Sequence, residues 1–555
     1  MKLEEKITNV LFVALLLVTM ACSPKQESSR ADVPQKAGNE LSNDRTMPMA
    51  DLGDGYYRNP VIIGSGGDNT IVRVGEDYYM EAGGNEIWHS RDMVNWKSIS
   101  TINTFTDGTW ASEITYHDGK YYFYTTEVDM SRGNTGPLNM AQRSLVGAPS
   151  RLTGDKAWKN VVVWADNPEG PWSDPIDLEV YGYFDPGHIV DMDGNRYLFF
   201  NKGVMIKLAP DGLSVEGDIQ KVYDGWDIPS DWVMECHCLE APKLIHVNDY
   251  YYMASAQGGT GGPATAHMGV IARAKSLEGP WENSPYNPVV RTYDQNEPWV
   301  RQGHGTIIDD VEGNWWFVYT GYENGHEDLG KQCLLLPLEW TEDGWPVVPE
   351  GISPADELKK PAGENTGHGF AVSDDFTSDK LGEQWSTANN IDPKEAYAFG
   401  EGFLKMPATG EIPEESAVQP VGATLLSVTQ FHHAYEVQVE IEIPETAEGG
   451  ILVSSRSRRG AATSARNAFA TAGIRKGEIF ATWGGVANYL DYGNSRVFVK
   501  IMNMNGDVSC FYSTDGKNWS MFENSTSVTN GYTISLYAAG EGDVIFKNFK
   551  FRGLN

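Results

Sequence analysis

The sequence predicts an all-β protein, a five-bladed β-propeller followed by a β-sandwich. Three observations carry that expectation. Aromatic residues make up 11% of the 555 positions, with 17 Trp and 26 Tyr, and 59 Gly and 28 Pro supply turns; aromatic side chains favour the half-buried pleated surface of a sheet. One strand–turn–strand phrase recurs five times in the first two-thirds of the chain. Beyond residue 370, alternating strands continue without that phrase.

The length implies two domains plus a leader. Lys2 and Lys6 precede an apolar run from Val10 to Met20, too short to span a bilayer and shaped like a secretory leader. It ends at Met20-Ala21-Cys22, which resembles a bacterial lipoprotein signal whose cysteine is lipidated after cleavage. The expected order is a signal peptide over 1–21, a flexible tether over 22–50, the propeller over 51–352, a linker over 353–370 and the sandwich over 371–555. Cys22 is the expected lipidation site, which implies export and anchoring at a bacterial periplasmic or outer-membrane surface, with plain secretion as the alternative. The net charge of −33 repels nucleic acid and anionic membrane, so a membrane partner is expected only through the lipid. Cys236 and Cys238 are too closely spaced for a disulfide within a strand, and free buried thiols are expected. No paired CxxC arrangement is present, so a structural zinc site is not expected.

The phrase consists of an ionisable residue, a short apolar strand, a polar turn and an aromatic-rich strand. It opens at Asp68, Glu113, Asp185, Glu240 and His304 and reaches Tyr79, Tyr122, Tyr197, Tyr251 and Trp316. The separations are 11, 9, 12, 11 and 12 residues, and the starts lie 45, 72, 55 and 64 residues apart, enough for a four-stranded sheet plus loops. Asp-Gly and Asn-Asp turns between the strands are hairpin signals. Five blades around one axis place the five opening residues at one end of a shared channel. A ring of four carboxyls there pushes pKa values apart.

Paired carboxyls at a channel mouth suit glycosidic bond cleavage, where a protonated acid serves the leaving oxygen and a carboxylate activates water or attacks carbon. No Ser-His-Asp order, phosphate loop or dinucleotide fingerprint stands in a supporting context. Trp110 is the candidate for stacking on a sugar ring, with core packing as its alternative. Glu113 either hydrogen-bonds a hydroxyl or shapes the channel. His304 is either structural or a ligand to a buried cation.

Residues 55–350 resemble glycoside hydrolase family 43, the five-bladed propellers that include β-xylosidases, α-L-arabinofuranosidases and arabinanases. The resemblance rests on Asn59-Pro60 through Gly64, Ile71 through Met80, Gly182-Tyr183-Phe184-Asp185, Leu239 through Leu244, Trp110-Ala111, Gln302-Gly303-His304-Gly305 and Leu338 through Trp345. It implies an inverting mechanism with Asp68 as general base, Glu240 as general acid and Asp185 as the modulator of the acid's pKa. It implies an exo-acting enzyme that removes xylose or arabinofuranose from plant- or algal-type polysaccharides and oligosaccharides, with no cofactor required and structural calcium near His304 left open. The chain departs from the family at Gly67-Asp68-Asn69, where Asp-Pro is common, and at Ser112, where proline is usual. Tyr322 stands where the xylosidase-like branch often carries an arginine, and is the candidate substrate contact there.

The C-terminal strands run through Tyr435–Ile443, Ile451–Ser455, Val497–Ile501 and Val544–Phe551 and resemble the concanavalin-like sandwich appended to xylosidase-type members. Competing readings are another propeller glycosidase (endo-arabinanase, galactan-active or fructosidase type) and a non-catalytic glycan-binding surface lipoprotein. Met234-Glu235-Cys236 superficially resembles a fructosidase acid motif, but the Asn-Asp-Pro-Asn and Arg-Asp-Pro segments of that type are missing.

Overall fold

Each recurring phrase becomes the inner hairpin of a four-stranded antiparallel blade. In the computed structural model, which describes residues 43–63, 67–105, 108–128, 158–387, 397–412, 422–454, 469–483, 486–523, 526–527 and 531–554, strands account for nearly all regular structure. The leader, Cys22 and most of the expected tether lie outside these residues.

Blade one runs Thr70–Val74, Asp77–Glu81, Glu86–Ser90, Lys97–Thr101, and blade two Gly108–His117, Lys120–Val128, Trp158–Ala165, Ile176–Tyr181. Blade three runs Gly187–Val190, Arg196–Phe200, Val204–Leu208, Val215–Lys221. Blade four runs Glu240–Val247, Tyr250–Gln257, Met268–Ala274, Glu282–Asn283, with Val290–Arg291 added at its edge. Blade five runs Trp299–Asp309, Trp315–Glu323, Gln332–Trp340, Pro346–Val347. The second strand of a blade is covered on both faces by its neighbours, so Lys120–Val128 and Tyr250–Gln257 are buried along almost their whole length. Outer strands face water, and Val215–Lys221 is polar and mostly exposed. Asp118 and Gly119, at φ 48° and 80°, form the tight turn of the second hairpin, where glycine enters the left-handed region without a Cβ penalty.

The ring closes between its first and last blades. The segment entering blade one lies along the third strand of blade five, with Ile62 bridged to Cys333 and with bonds of 2.9 Å from Val61 N to Cys333 O and 2.8 Å from Leu335 N to Asn59 Oδ1.

After the propeller, two sheets of seven and eight strands stack face to face. Strands such as Arg496–Met504 alternate buried and exposed residues, and the buried set (Val437, Val439, Ile441, Val497, Val499, Ile501, Leu536, Phe546) fills the space between the sheets. The expected linker is packed, not loose: Glu357–Lys359 pairs with Tyr56–Arg58, and His368 is buried. Residues 43–50, assigned above to the tether, form a strap at the seam. Thr46 N donates to Phe370 O at 2.8 Å, Phe431 N donates to Thr46 O at 2.8 Å, and Met47 and Ala50 are buried. Few apolar residues suffice there because the strap is held through its backbone.

Cys236 and Cys238 form a disulfide, which corrects the expectation of free thiols. Both lie in a loop ahead of the fourth blade, where the geometric objection drawn from a strand does not apply. Cys333 and Cys510 are buried and in no disulfide among the described residues.

Candidate active site

β-Bulges turn the hub side chains toward the channel. Register shifts interrupt the inner strands between Trp110 and Ser112, between Glu240 and Lys243, and between Val300 and Gly305. Ala241 and His304 at these shifts, and Asp185 ahead of the third blade, adopt left-handed backbone with φ of 57°, 56° and 57°. Each such residue costs about 1–3 kcal/mol and persists where surrounding structure fixes it, typically at functional sites.

Asp68 precedes the inner strand of blade one. Its Oδ1 pairs with the ammonium of Lys331 and lies 3.1 Å from His304 Nδ1. Burial alone would raise the carboxyl, but His304 and Lys331 outweigh it and hold Asp68 well below the usual range. Burial in turn lowers His304, so at neutral pH the imidazole is a neutral hydrogen-bond partner. Lys331 is then the charge that keeps Asp68 ionised. Burial lowers Lys331 too, but the Asp68 carboxylate reverses this and raises it.

Asp185 has the opposite character. Burial, then the carboxyls of Glu240 and Asp68, push it well above the carboxylate range. Its Oδ2 accepts from Ala241 N at 3.2 Å, which ties it to the residue after Glu240. Asp185 therefore holds its proton to higher pH than an isolated carboxyl would. The side chains of Glu240 and Asp68 remain 21% and 20% exposed, enough to meet a ligand, whereas Asp185 is 5% exposed. The buried His267 places Nε2 3.7 Å from Glu240 Oε1, beyond hydrogen-bond distance.

Glu113 shapes the channel. Its Oε2 accepts from Thr70 Oγ1 at 2.8 Å and from Lys243 Nζ at 2.7 Å, and its Oε1 accepts from His188 N at 3.3 Å. Lys243 also donates to Ser112 O and Pro186 O, which laces blades two, three and four together. Trp110 is half-buried and packs edge-on against Trp158 at 4.8 Å, beside Phe184. Tyr322 is half-buried, with the Arg301 guanidinium 5.5 Å from its ring centroid. His304 Nε2 is buried without a hydrogen-bond partner among the described residues. Calcium takes six to eight oxygens, and among the described residues His304 belongs to no cluster of three ligand-type side chains, so side chains alone do not build that shell. Glu235 holds a loop instead of a substrate: its Oε2 accepts from Gly261 N at 2.6 Å, within the glycine-rich stretch.

Lys331, Lys243 and His267 are the site residues that the sequence reading missed. Lys243 lies inside the phrase opening at Glu240 and could have been found there. Lys331 lies 263 residues from Asp68 and outside every repeat.

A five-bladed propeller with acidic residues of opposed protonation at its channel mouth defines the class of propeller glycoside hydrolases. The chain belongs to Glycosyl hydrolases family 43, whose profile matches residues 57–346. The non-reducing end alpha-L-arabinofuranosidase of Bacteroides ovatus is 32% identical over 372 residues, covering 62% of this chain and 63% of that protein. The xylan 1,3-beta-xylosidase of a Vibrio species is 29% identical over 349 residues, covering 55% of this chain and 59% of that one. The chain thus spans about three-fifths of the length of these curated relatives. A solved family 43 protein from Bacillus licheniformis superposes with a TM-score of 0.69 at 25% identity, covering 90% of this chain and 100% of its own.

Proposed function

We propose that this chain is an exo-acting, inverting glycoside hydrolase that removes xylose or arabinofuranose from polysaccharides and oligosaccharides of plant or algal type. The observation that carries the reading is the contrast between Asp68, held ionised by Lys331, and Asp185, which keeps its proton beside Glu240. Asp68 takes a proton from a water attacking the anomeric carbon. Glu240 gives a proton to the departing glycosidic oxygen, and Asp185 holds the proton inventory of that side of the channel. Water attack on one face and departure from the other leave the sugar with inverted configuration. The choice of xylose or arabinofuranose is supported by the names of the relatives, an arabinofuranosidase and a xylosidase.

The test is turnover of p-nitrophenyl β-xyloside, p-nitrophenyl α-arabinofuranoside and xylobiose. Glu240→Gln and Asp68→Asn are each expected to cut kcat by about 10²–10⁴-fold. For Glu240→Gln the loss should be greater on xylobiose, whose leaving group needs protonation more. Release of a sugar with retained configuration, followed by NMR, would sink the inverting mechanism. Binding without turnover of any substrate would favour a glycan-binding protein.

A further inference from the structure

Three side chains with metal-binding chemistry meet at the seam between blade five and the sandwich. Glu323 ends the second strand of blade five, His326 follows in the turn before the short helical segment Glu327–Leu329, and His433 precedes the sandwich strand Ala434–Glu442. One ligand atom from each lies within 4.8 Å of the other two, and all three residues are half-buried. His433 Nε2 is 3.2 Å from both Glu323 carboxylate oxygens. The His326 and His433 rings stack at a centroid distance of 3.7 Å and an angle of 19°.

An ordinary ion pair between His433 and Glu323 explains only part of this arrangement. It leaves unexplained the His326 ring stacked on His433 beside the same carboxylate. Two imidazole nitrogens and a carboxylate oxygen, all within 4.8 Å of one another, are a donor set for a metal ion. Surrounding groups orient them: Gln332 Nε2 donates to Glu323 Oε2 at 3.1 Å, and Tyr532 Oη lies 3.5 Å from His433 Nδ1. Partners on the outer oxygen and outer nitrogen of ligand side chains are the usual support of a metal site.

We propose that Glu323, His326 and His433 bind a borderline divalent transition metal ion, with zinc as the test ion, and that this ion clips the β-sandwich to the fifth blade. Two nitrogens and one carboxylate oxygen suit zinc, which bonds imidazole at about 2.0–2.1 Å and carboxylate at about 2.0–2.2 Å and leaves a fourth position for water. Calcium and magnesium want oxygen shells and are disfavoured here. The expectation of no zinc site drew on cysteine spacing alone and does not bear on a histidine–carboxylate set. The ligands come from positions 110 residues apart, on two domains. An ion that binds only when the domains are docked stabilises docking by its own binding free energy. The turn it would hold leads directly to Lys331, the partner of Asp68.

The experiment uses the untagged full chain, stripped with a chelator and titrated with zinc chloride by calorimetry. One equivalent is expected to bind and to raise the Tm. His326→Gln and His433→Gln are each expected to weaken zinc at least about tenfold, while the stripped variants keep wild-type circular dichroism. The zinc-edge absorption spectrum should show two imidazoles and a first shell of nitrogen and oxygen at about 2.0–2.1 Å. No zinc bound by the wild type, or one equivalent that persists unchanged in both variants, overturns the assignment. So does a spectrum without imidazole scattering. Should a histidine variant fail to fold, Glu323→Gln, which keeps both rings and the carboxylate's shape, takes its place with the same expected loss.

Discussion

Asp68 and Asp185 are the same residue type at the start of equivalent strands, and their surroundings drive them to opposite protonation. Asp68 sits against an ammonium; Asp185 sits against other carboxyls, and the Ala241 N–H with the more weakly acting Lys331 and Lys243 does not offset them. The contrast yields a test on Lys331, whose ammonium pairs with Asp68. In the proposed role Asp68 must be ionised to accept a proton, and its pKa is depressed, so activity is expected to persist into the acid range. Lys331→Met removes the charge that depresses it, so the pKa rises and the acid limb of the kcat/KM profile should move to higher pH by about 1–3 units. The alkaline limb should move up by less, because Lys331 lowers Asp185 only as a minor influence beside burial and the neighbouring carboxyls. An acid limb that does not move would show that His304 alone sets the base. Reading the sequence gave the carboxyls without this ammonium, because a long-range ion pair leaves no local pattern. The acidic residues could be found because each opens a repeat.

At the scale of the element, the repeat located the hub ring but not its depth. Asp68, Asp185 and His304 each lie four residues before the strand residue that faces the recurring aromatic: Val72, Ile189 and Ile308. Glu113 lies only two residues before its counterpart Thr115, and Glu240 six before His246. The short offset of Glu113 already shows as its nine-residue separation, and Glu113 meets Lys243 at 2.7 Å. For Glu240 a bulge before Lys243 lengthens the offset. The eleven-residue separation shared by Asp68 and Glu240 concealed this, since a bulge adds a residue without marking its composition. The close approach of blades three and four has its own requirement. A Cβ on Gly187 would lie 1.7 Å from the carbonyl oxygen of Pro242, two residues past Glu240. Gly187→Ala must part the strands that carry Asp185 and Glu240. It should destabilise the fold by about 3 kcal/mol or more in denaturant melts and lower kcat in the surviving folded fraction. Wild-type melting and turnover would show that the strands yield without cost.

The whole molecule is joined by more than its linker. Phe431 and Tyr532 of the sandwich belong to the same apolar cluster as Trp316, Leu334 and Trp345 of the propeller, and the strap and linker bond across the seam. Each such aromatic contributes about 1.5–3 kcal/mol by burial. A chain ending at residue 352 should therefore aggregate or melt below the full-length protein in calorimetry; an equal Tm would show the sandwich to be an independent appendage. The two domains could be read from the change of strand pattern, but the docking surface could not, because isolated aromatics in loops look like any others.

The closure of the propeller ring has a consequence in time. The ion pair between Asp68 and Lys331 joins residues 263 positions apart, across the junction where the last blade meets the first. Contacts so distant along the chain form late and slowly. A nascent chain with four blades outside the ribosome carries Asp68, Asp185 and Glu240 but not the lysine that charges the first of them. Completion of this ion pair and completion of the ring are thus one event, and under the proposed roles no turnover is expected from a chain whose synthesis has not passed the fifth blade.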